Sequence, residues 1–258
     1  MWYQLKSYFF FFFKSTNQHG IHSPFVFDFI TKCVYNTSNY YSYTILRSIR
    51  KRLFNNTDTI VITDFGEGSR VFKSNHRKIS SIAKNAGIPF KRQKLLFRLV
   101  EYFKVEKALE LGTSLGLATT AIYLANPSVK LDTVEGCPAT SEKADALFSE
   151  FNLKNIQLHN MTFDHFFSSE KPSEVYDLIY IDGNHNKENT LEYFNIALNK
   201  VTNNSVIIFD DIYWSSAMNE AWLEICENEK VKISIDMFHW GLIFFRKEQQ
   251  KQHFVIRM

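Results

Sequence analysis

The chain has 258 residues, 45% of them hydrophobic and 16% aromatic, so it can bury a large core and is neither disordered nor fibrous. Its three cysteines, Cys33, Cys137 and Cys226, are widely spaced and form no C-x-x-C pair. This pattern argues against a disulfide framework and a thiolate zinc site, and it predicts a cytoplasmic protein.

Residues 1–90 show no regular alternation of strands and helices, and we predict an N-terminal extension of helices and loops. Five consecutive phenylalanines occupy positions 9–13. The apolar stretch is shorter than the roughly 20 residues of a membrane span, and no signal-peptide cleavage site follows it. We expect an aromatic helix that packs on the body of the protein or on a partner subunit, so a homodimer is a candidate assembly.

Charge is distributed unevenly along the chain. Residues 1–107 carry 18 Lys and Arg against 6 Asp and Glu, whereas residues 108–258 carry 12 against 21, and the net charge is +3. The basic residues are mostly scattered rather than clustered. This favours docking of a basic lobe on an acidic one over the binding of nucleic acid.

Two patterns in the extension resemble sites. A glycine-containing turn at 64–69 follows the apolar residues 60–62, but no strand ending in an acid comes 25 residues later. We therefore interpret it as a loop of the N-terminal lobe, a candidate cover for the cleft. His19 and His22 have no third metal ligand nearby, and a turn anchored by Pro24 is the favoured interpretation.

From residue 91 onward, strand and helix patterns alternate. Helices are predicted over residues 91–103, 115–125, 140–151, 188–198 and 215–227. Strands are predicted over residues 108–111, 129–134, 156–158, 176–181 and 206–209. Two closing strands, 231–236 and 241–245, lie too close together for a crossover helix and are expected to be antiparallel. The prediction for residues 91–258 is a Rossmann-like, doubly wound α/β fold with a mostly parallel seven-stranded sheet and an antiparallel last strand.

In such sheets ligands bind at the carboxyl ends of the strands. The sequence E-L-G-T-S-L-G at 110–116 follows one strand and opens a helix, where its glycines permit a tight turn. Glu135 ends the next strand, 25 residues after Glu110, and an acid there can accept hydrogen bonds from both ribose hydroxyls. Two later buried strands end in Asp182 and in Asp210-Asp211, which indicates a role for these carboxylates at the cleft.

Together these motifs resemble the class I S-adenosylmethionine-dependent methyltransferases, especially the bacterial small-molecule O-methyltransferase branch. The resemblance covers residues 91–246 and includes E-L-G-T-S-L-G, V-E-G, D-L-I-Y-I-D-G-N-H and I-I-F-D-D. It implies that the cofactor is held by residues that follow four strands: Glu110, Gly112, Thr113, Ser114, Gly116, Glu135, Gly136, Cys137, Thr162, Phe163 and Asp182. The first turn would line the methionine part, Glu135 would bind the ribose, and Asp182 would face the sulfonium and the acceptor. Gly136, Cys137, Thr162 and Phe163 would lie near the adenine.

The resemblance leaves the use of a metal open. Metal-dependent relatives place carboxylates at these strand ends, so Asp182, Asp210 and Asp211 are candidate ligands for Mg²⁺. The alternative is that Asp211 caps a turn while Asp182 acts through hydrogen bonds alone. His185 is the candidate general base, because imidazole titrates near neutral pH, and Asp182 is the alternative.

The function predicted from sequence is therefore methylation of a hydroxyl group on a small molecule. An NAD-dependent oxidoreductase would need G-x-G-x-x-G, which the turn at 110–116 lacks. A nucleic-acid or protein methyltransferase that uses the basic lobe remains an alternative, as does a non-catalytic subunit with the cofactor fold. The base-methylating group is disfavoured, since its N-P-P-Y type motif is absent after residue 181.

Overall fold

The computed structural model describes residues 2–65, 72–169 and 174–257. The helices are α1 (Trp2–Lys14), α2 (Pro24–Phe29), α3 (Ser42–Phe54), α4 (Ile79–Asn85), α5 (Phe90–Phe103), α6 (Leu117–Ala125), α7 (Pro138–Glu150), α8 (Phe163–Ser169), α9 (Lys187–Ala197) and α10 (Ser216–Glu227). The strands are β1 (Thr59–Val61), β2 (His76–Lys78), β3 (Lys107–Leu111), β4 (Lys130–Val134), β5 (Ile156–His159), β6 (Tyr176–Ile181), β7 (Val201–Asp210), β8 (Ile233–Asp236), β9 (Trp240–Phe244) and β10 (Gln252–Val255).

Strands β3 to β10 form an eight-stranded, mostly parallel sheet, which confirms the predicted Rossmann-like α/β fold. The chain divides into two compact units, one of Met1–Tyr35 with Glu170–Met258 and the other of Asn36–Ser169. The predicted boundary at residue 90 remains a prediction.

In the Asn36–Ser169 unit the strand order is β3-β4-β5, and all three strands are parallel. Glu110 pairs with Thr133 in this register, so their side chains emerge on the same face of the sheet. Helix α5 buries Leu95, Leu96 and Leu99 at the predicted helical spacing. Because β3 and β4 pair in parallel, their carboxyl ends lie side by side at the same edge of the sheet.

In the other unit the order is β10-β8-β9-β7-β6. Strand β6 is parallel to β7, while β9 is antiparallel to both β7 and β8, as predicted for the closing pair. Strand β10, parallel to β8, is an eighth strand that the sequence did not predict. The turn between β8 and β9 lies at the carboxyl end of β7, since β9 runs antiparallel to that strand.

Helix α1 confirms the predicted aromatic helix and packs by one face only. Tyr8 and the buried Phe11 contact Phe238 in the β8–β9 turn, with ring centroids 4.9 and 5.4 Å apart. The opposite face is exposed and carries Trp2, Leu5, Phe9, Phe10 and Phe13, while the half-exposed Phe12 lies under the Arg257 guanidinium, 4.7 Å from its ring centroid. Across the described residues, the structure contains no helix with the length and apolar character to cross a membrane.

The N-terminal extension differs from the sequence prediction in one respect. Besides helices and loops it contains β1 and β2, two three-residue strands that pair antiparallel. In the turn at 64–69, Gly66, Glu67, Gly68 and Ser69 lie outside the described residues. Ser23 caps α2 by accepting a hydrogen bond from the Val26 amide, and Pro24 occupies the first turn, so the Ser-Pro pair begins a helix.

Candidate functional site

The turn between β3 and α6 contains three residues in the left-handed backbone region. They are Gly112, Ser114 and Gly116, with φ angles of 106°, 48° and 78°. The Gly112 amide donates a hydrogen bond of 3.0 Å to the carbonyl oxygen of Val134 at the end of β4. A Cβ on Gly116 would lie 2.5 Å from Cε1 of Phe148 on α7. The turn thus needs glycine at 116 for both its backbone and its packing, whereas Ser114 accepts some strain.

Glu110 lies at the centre of a buried chain of hydroxyl groups. Its Oε2 accepts hydrogen bonds from Oγ1 of Thr119 and Thr133, at 2.5 and 2.6 Å, and Thr133 is also hydrogen-bonded to Thr113. Oε1 is buried and has no hydrogen-bond partner in the part of the chain that the structure describes. Burial raises the pKa of Glu110 to about 7, and the two threonine hydrogen bonds only partly oppose this. The Oε1 atom is therefore a buried acceptor that the hydrogen bonds of the described residues leave unsatisfied.

Glu135 follows β4 and ties two loops together. Its Oε2 accepts a hydrogen bond from the Ser114 amide and its Oε1 accepts one from the Cys137 amide, both at 2.8 Å. Burial raises the pKa of this carboxyl, and the two amides oppose the shift. A carboxylate offers about four lone-pair sites, so this one keeps acceptor capacity beside the two amides and the Thr140 hydroxyl. This geometry fits the two hydroxyl groups of a ribose.

The other predicted cofactor residues of this unit lie in loops at the same edge. Thr162 precedes α8, and its Oγ1 accepts a hydrogen bond of 3.3 Å from the His165 amide. Phe163 begins α8. Cys137 is buried, and its sulfur accepts a hydrogen bond of 3.3 Å from the Thr63 amide. The loop after β1, which sequence analysis linked only to a general cover, therefore contacts the predicted cofactor residues directly.

The remaining predicted residues belong to the other compact unit. Asp210 is 5% exposed, and its Oδ2 accepts a hydrogen bond of 2.7 Å from the Tyr180 hydroxyl. The same hydroxyl lies 3.3 Å from Oδ2 of Asp182. The Asp211 amide donates to Oδ1 of Asp210 at 2.8 Å, and Asp211 itself has a left-handed φ of 53°. Tyr180 thus joins the carboxylates at the ends of β6 and β7, a role that sequence analysis missed.

His185 lies in a strained turn after β6. Its Nε2 is 3.7 Å from Oδ1 of Asp182, and its ring lies 5.7 Å from that of Trp214. Asn184 and His185 have positive φ angles of 63° and 32°. Backbone strain of this kind often marks residues placed for function. The predicted acid and base candidates are therefore adjacent and share one loop.

His239 is a further candidate that sequence analysis missed. Its Nδ1 lies 3.9 Å from Oδ1 of Asp211, and its carbonyl oxygen accepts a hydrogen bond of 2.7 Å from the Asp211 amide. The β8–β9 turn that carries it is fixed by the buried Asp236, which accepts hydrogen bonds from the Phe238 amide and the Tyr213 hydroxyl. The sequence feature that could have identified it is a histidine in the short turn between the predicted strands 231–236 and 241–245.

The structure does not support the candidate Mg²⁺ site. Within residues 2–65, 72–169 and 174–257, no group of three His, Cys, Asp or Glu side chains is arranged to hold a metal ion. Asp182, Asp210 and Asp211 follow neighbouring strands, but Asp210 directs both oxygens to the Tyr180 hydroxyl and the Asp211 amide. Hydrogen bonding has replaced the ligand arrangement expected from the resemblance, and we derive no step through a metal ion.

Comparison with known proteins agrees with this geometry. Residues 109–212 match the family model described as a methyltransferase domain. No curated protein has a sequence that matches this one.

Three solved structures share the fold at low identity. A Podospora anserina methyltransferase bound to S-adenosylhomocysteine is 13% identical, with a TM-score of 0.59 over 87% of this chain and 97% of that one. The Streptomyces achromogenes O-methyltransferase of tomaymycin synthesis, in complex with S-adenosylmethionine, is 14% identical. Its TM-score is 0.55, and the match covers 84% of this chain and 94% of that one. A Bacillus cereus O-methyltransferase in complex with S-adenosylhomocysteine is 15% identical. Its TM-score is 0.53, and the match covers 84% of this chain and 94% of that one.

The family match includes Glu110, Glu135, Asp182 and Asp210, and the fold is that of methyltransferases solved with their cofactor. Residues 109–212 are therefore similar to a methyltransferase domain, and the chain has the fold of methyltransferases that were solved with S-adenosylmethionine or S-adenosylhomocysteine.

Proposed function

We propose that the protein transfers a methyl group to a hydroxyl oxygen of a small-molecule acceptor. The observation that carries this proposal is the pairing of His185 with Asp182, at 3.7 Å, in the strained loop that follows β6. A base held by a carboxylate suits an acceptor that must lose a proton, as a hydroxyl group does. The O-methyltransferase neighbours support the same acceptor class.

The cofactor half of the proposal rests on the turn after β3 and on Glu135. Glu135 accepts the ribose hydroxyls with the oxygens that already bind the Ser114 and Cys137 amides. The unpartnered oxygen of Glu110 accepts a donor from the methionine part. Thr113 and Gly116 hold the turn open, and Thr162 and Phe163 flank the adenine.

The chemistry asks little of the protein beyond alignment and proton removal. When bound, S-adenosylmethionine would supply the methyl group to the acceptor oxygen and leave as S-adenosylhomocysteine. His185 takes the hydroxyl proton, and Asp182 stabilises the imidazolium that forms. His239, beside Asp211, is a second group able to orient the acceptor.

The same proposal extends to the surroundings of the site. The extension of residues 1–90 acts as a lid or acceptor-side lobe, because α1 packs on Phe238 next to His239.

Cys33, Cys137 and Cys226 are buried cysteines that form no disulfide, which supports work in the reducing cytoplasm. The exposed apolar face of α1 supports a homodimer, which sedimentation velocity would test.

An acceptor panel tests the proposal. Purified protein would be incubated with S-adenosylmethionine and with small hydroxyl, amine and thiol compounds of matched size. Release of S-adenosylhomocysteine and the product mass would be followed, with His185→Gln as the variant and the exposed Glu188→Gln as its control. Methylation confined to hydroxyl compounds and reduced at least a hundredfold in His185→Gln is the expected result. Methylation of amines alone, or equal activity in the variant, would contradict it.

A further inference from the structure

The loop after β1 is docked on the residues that follow Glu135. The Thr63 amide donates a hydrogen bond of 3.3 Å to the sulfur of Cys137, and that sulfur lies 3.9 Å from the carbonyl oxygen of Val61. Both segments belong to the Asn36–Ser169 unit. A segment of the N-terminal extension therefore forms one wall beside the ribose-binding acid.

The ring of Phe65 lies directly against Gly136. A Cβ built on Gly136 would be 2.8 Å from Cδ2 and 3.0 Å from Cε2 of that ring. Only glycine at 136 admits the ring at this distance. Phe65 nevertheless remains 52% exposed, so much of its surface is open to a ligand. A half-exposed phenylalanine that rests on a glycine is typical of a binding wall rather than a core.

Charge supports the same placement. Burial is the main cause of the raised pKa of Glu135, and the negative charge of Asp64 adds to it. Asp64 also lies 3.5 Å from the guanidinium of Arg77 on β2, an ion pair that ties the loop to the small sheet. The loop is therefore close enough to Glu135 for its charge to be felt there.

We propose that Phe65 forms part of the site for the adenine ring of the cofactor. This inference rests on the proposed function, in which Glu135 binds the ribose and Gly136 lies near the base. Gly136 has no side chain to offer the purine, and the Phe65 ring supplies the missing apolar surface from a distant part of the chain. Aromatic rings of this kind stack on purines and stabilise them independently of hydrogen bonding.

The test compares two ligands that differ only by the base. The dissociation constant of S-adenosylhomocysteine would be measured by calorimetry, and that of S-ribosylhomocysteine, which lacks adenine, by competition. The variants are Phe65→Ala and Phe65→Trp, with Val61→Ala as the matched control because Val61 is 53% exposed on the preceding strand. Urea unfolding of each variant would show that the fold is retained.

We expect Phe65→Ala to weaken S-adenosylhomocysteine about tenfold, as loss of one base–aromatic stack does, and to leave S-ribosylhomocysteine unchanged. Phe65→Trp should bind S-adenosylhomocysteine as tightly as the wild type, and Val61→Ala should behave as the wild type with both ligands. An equal loss for both ligands in Phe65→Ala, or no loss for either, would overturn the assignment of Phe65 alone. Failure of the wild type to bind S-adenosylhomocysteine would overturn the proposed function and this inference with it.

Discussion

Replacement of Glu110 by Gln should change how the stability of the protein depends on pH. The carboxyl is fully buried, and its pKa is raised from 4.5 to about 7. Below pH 4.5 the group is protonated in both the folded and the unfolded chain and has no pH-dependent cost. As the pH rises from 4.5 to about 7, the unfolded chain has released this proton while the folded chain still holds it, so stability is lost over that range, and above about pH 7 the loss levels off. The full loss corresponds to about 3 kcal/mol at pH 8.

Gln has the shape of the protonated carboxyl but cannot ionise. Its oxygen can accept the hydrogen bonds from Thr119 and Thr133, while its amide group takes the place of the unpartnered oxygen. The variant should therefore lack this part of the pH dependence. Relative to wild type, Glu110→Gln should gain about 2 to 3 kcal/mol in free energy of unfolding between pH 5 and pH 8.

Urea unfolding followed by circular dichroism gives the free energy of unfolding of both proteins at pH 5 and pH 8. The change in the difference between variant and wild type from one pH to the other is the quantity that tests the prediction. The other groups with raised pKa values, such as Glu135 and Asp236, are present in both proteins and cancel. Glu142→Gln is the control, because the Glu142 side chain is 76% exposed and should show no such gain. A stability difference between wild type and Glu110→Gln that stays constant from pH 5 to pH 8 would refute the reasoning.

Three further substitutions test the site. Gly116→Ala should lower the free energy of unfolding, measured in urea, by roughly 2 to 4 kcal/mol. The reason is that the new Cβ meets Phe148 and that the φ of 78° is strained for alanine. A second substitution in the same chain, Phe148→Leu, should restore part of the loss. His185→Gln should lower kcat by about 10² or more and change the cofactor dissociation constant less than twofold, as a calorimetric titration beside the rate assay would show. Tyr180→Phe should lower the free energy of unfolding by about 1 to 3 kcal/mol, because it removes the hydroxyl that donates to the buried Asp210. An unchanged midpoint of thermal or urea unfolding would show that this hydrogen bond is dispensable.

Sequence patterns predicted most of the parallel part of the sheet and the residues at its strand ends. Glu110 and Glu135 were readable because a buried apolar strand that ends in an acid has few uses other than at a cleft. The strands β1, β2 and β10 were not predicted, since they are short, are partly or fully exposed and pair with distant segments.

Phe65 and His239 were missed for a related reason. Each lies in a loop, and its relevance arises only from contacts that folding creates with Gly136 and with Asp211. The candidate Mg²⁺ site is the opposite case, because residues of the ligand type are present in the sequence but the structure does not support a site. Their orientation, set by the Tyr180 hydroxyl and the Asp211 amide, is a tertiary property.

Titration of the protein with S-adenosylmethionine by calorimetry tests the central claim most directly. NAD⁺ serves as the comparison ligand, Glu135→Gln as the site variant, and Glu142→Gln as the control. Binding of S-adenosylmethionine in the micromolar range by the wild type and the control, much weaker binding by Glu135→Gln and none of NAD⁺ is the predicted result. Absence of S-adenosylmethionine binding by the folded wild type, or equal affinity in Glu135→Gln, would contradict the account.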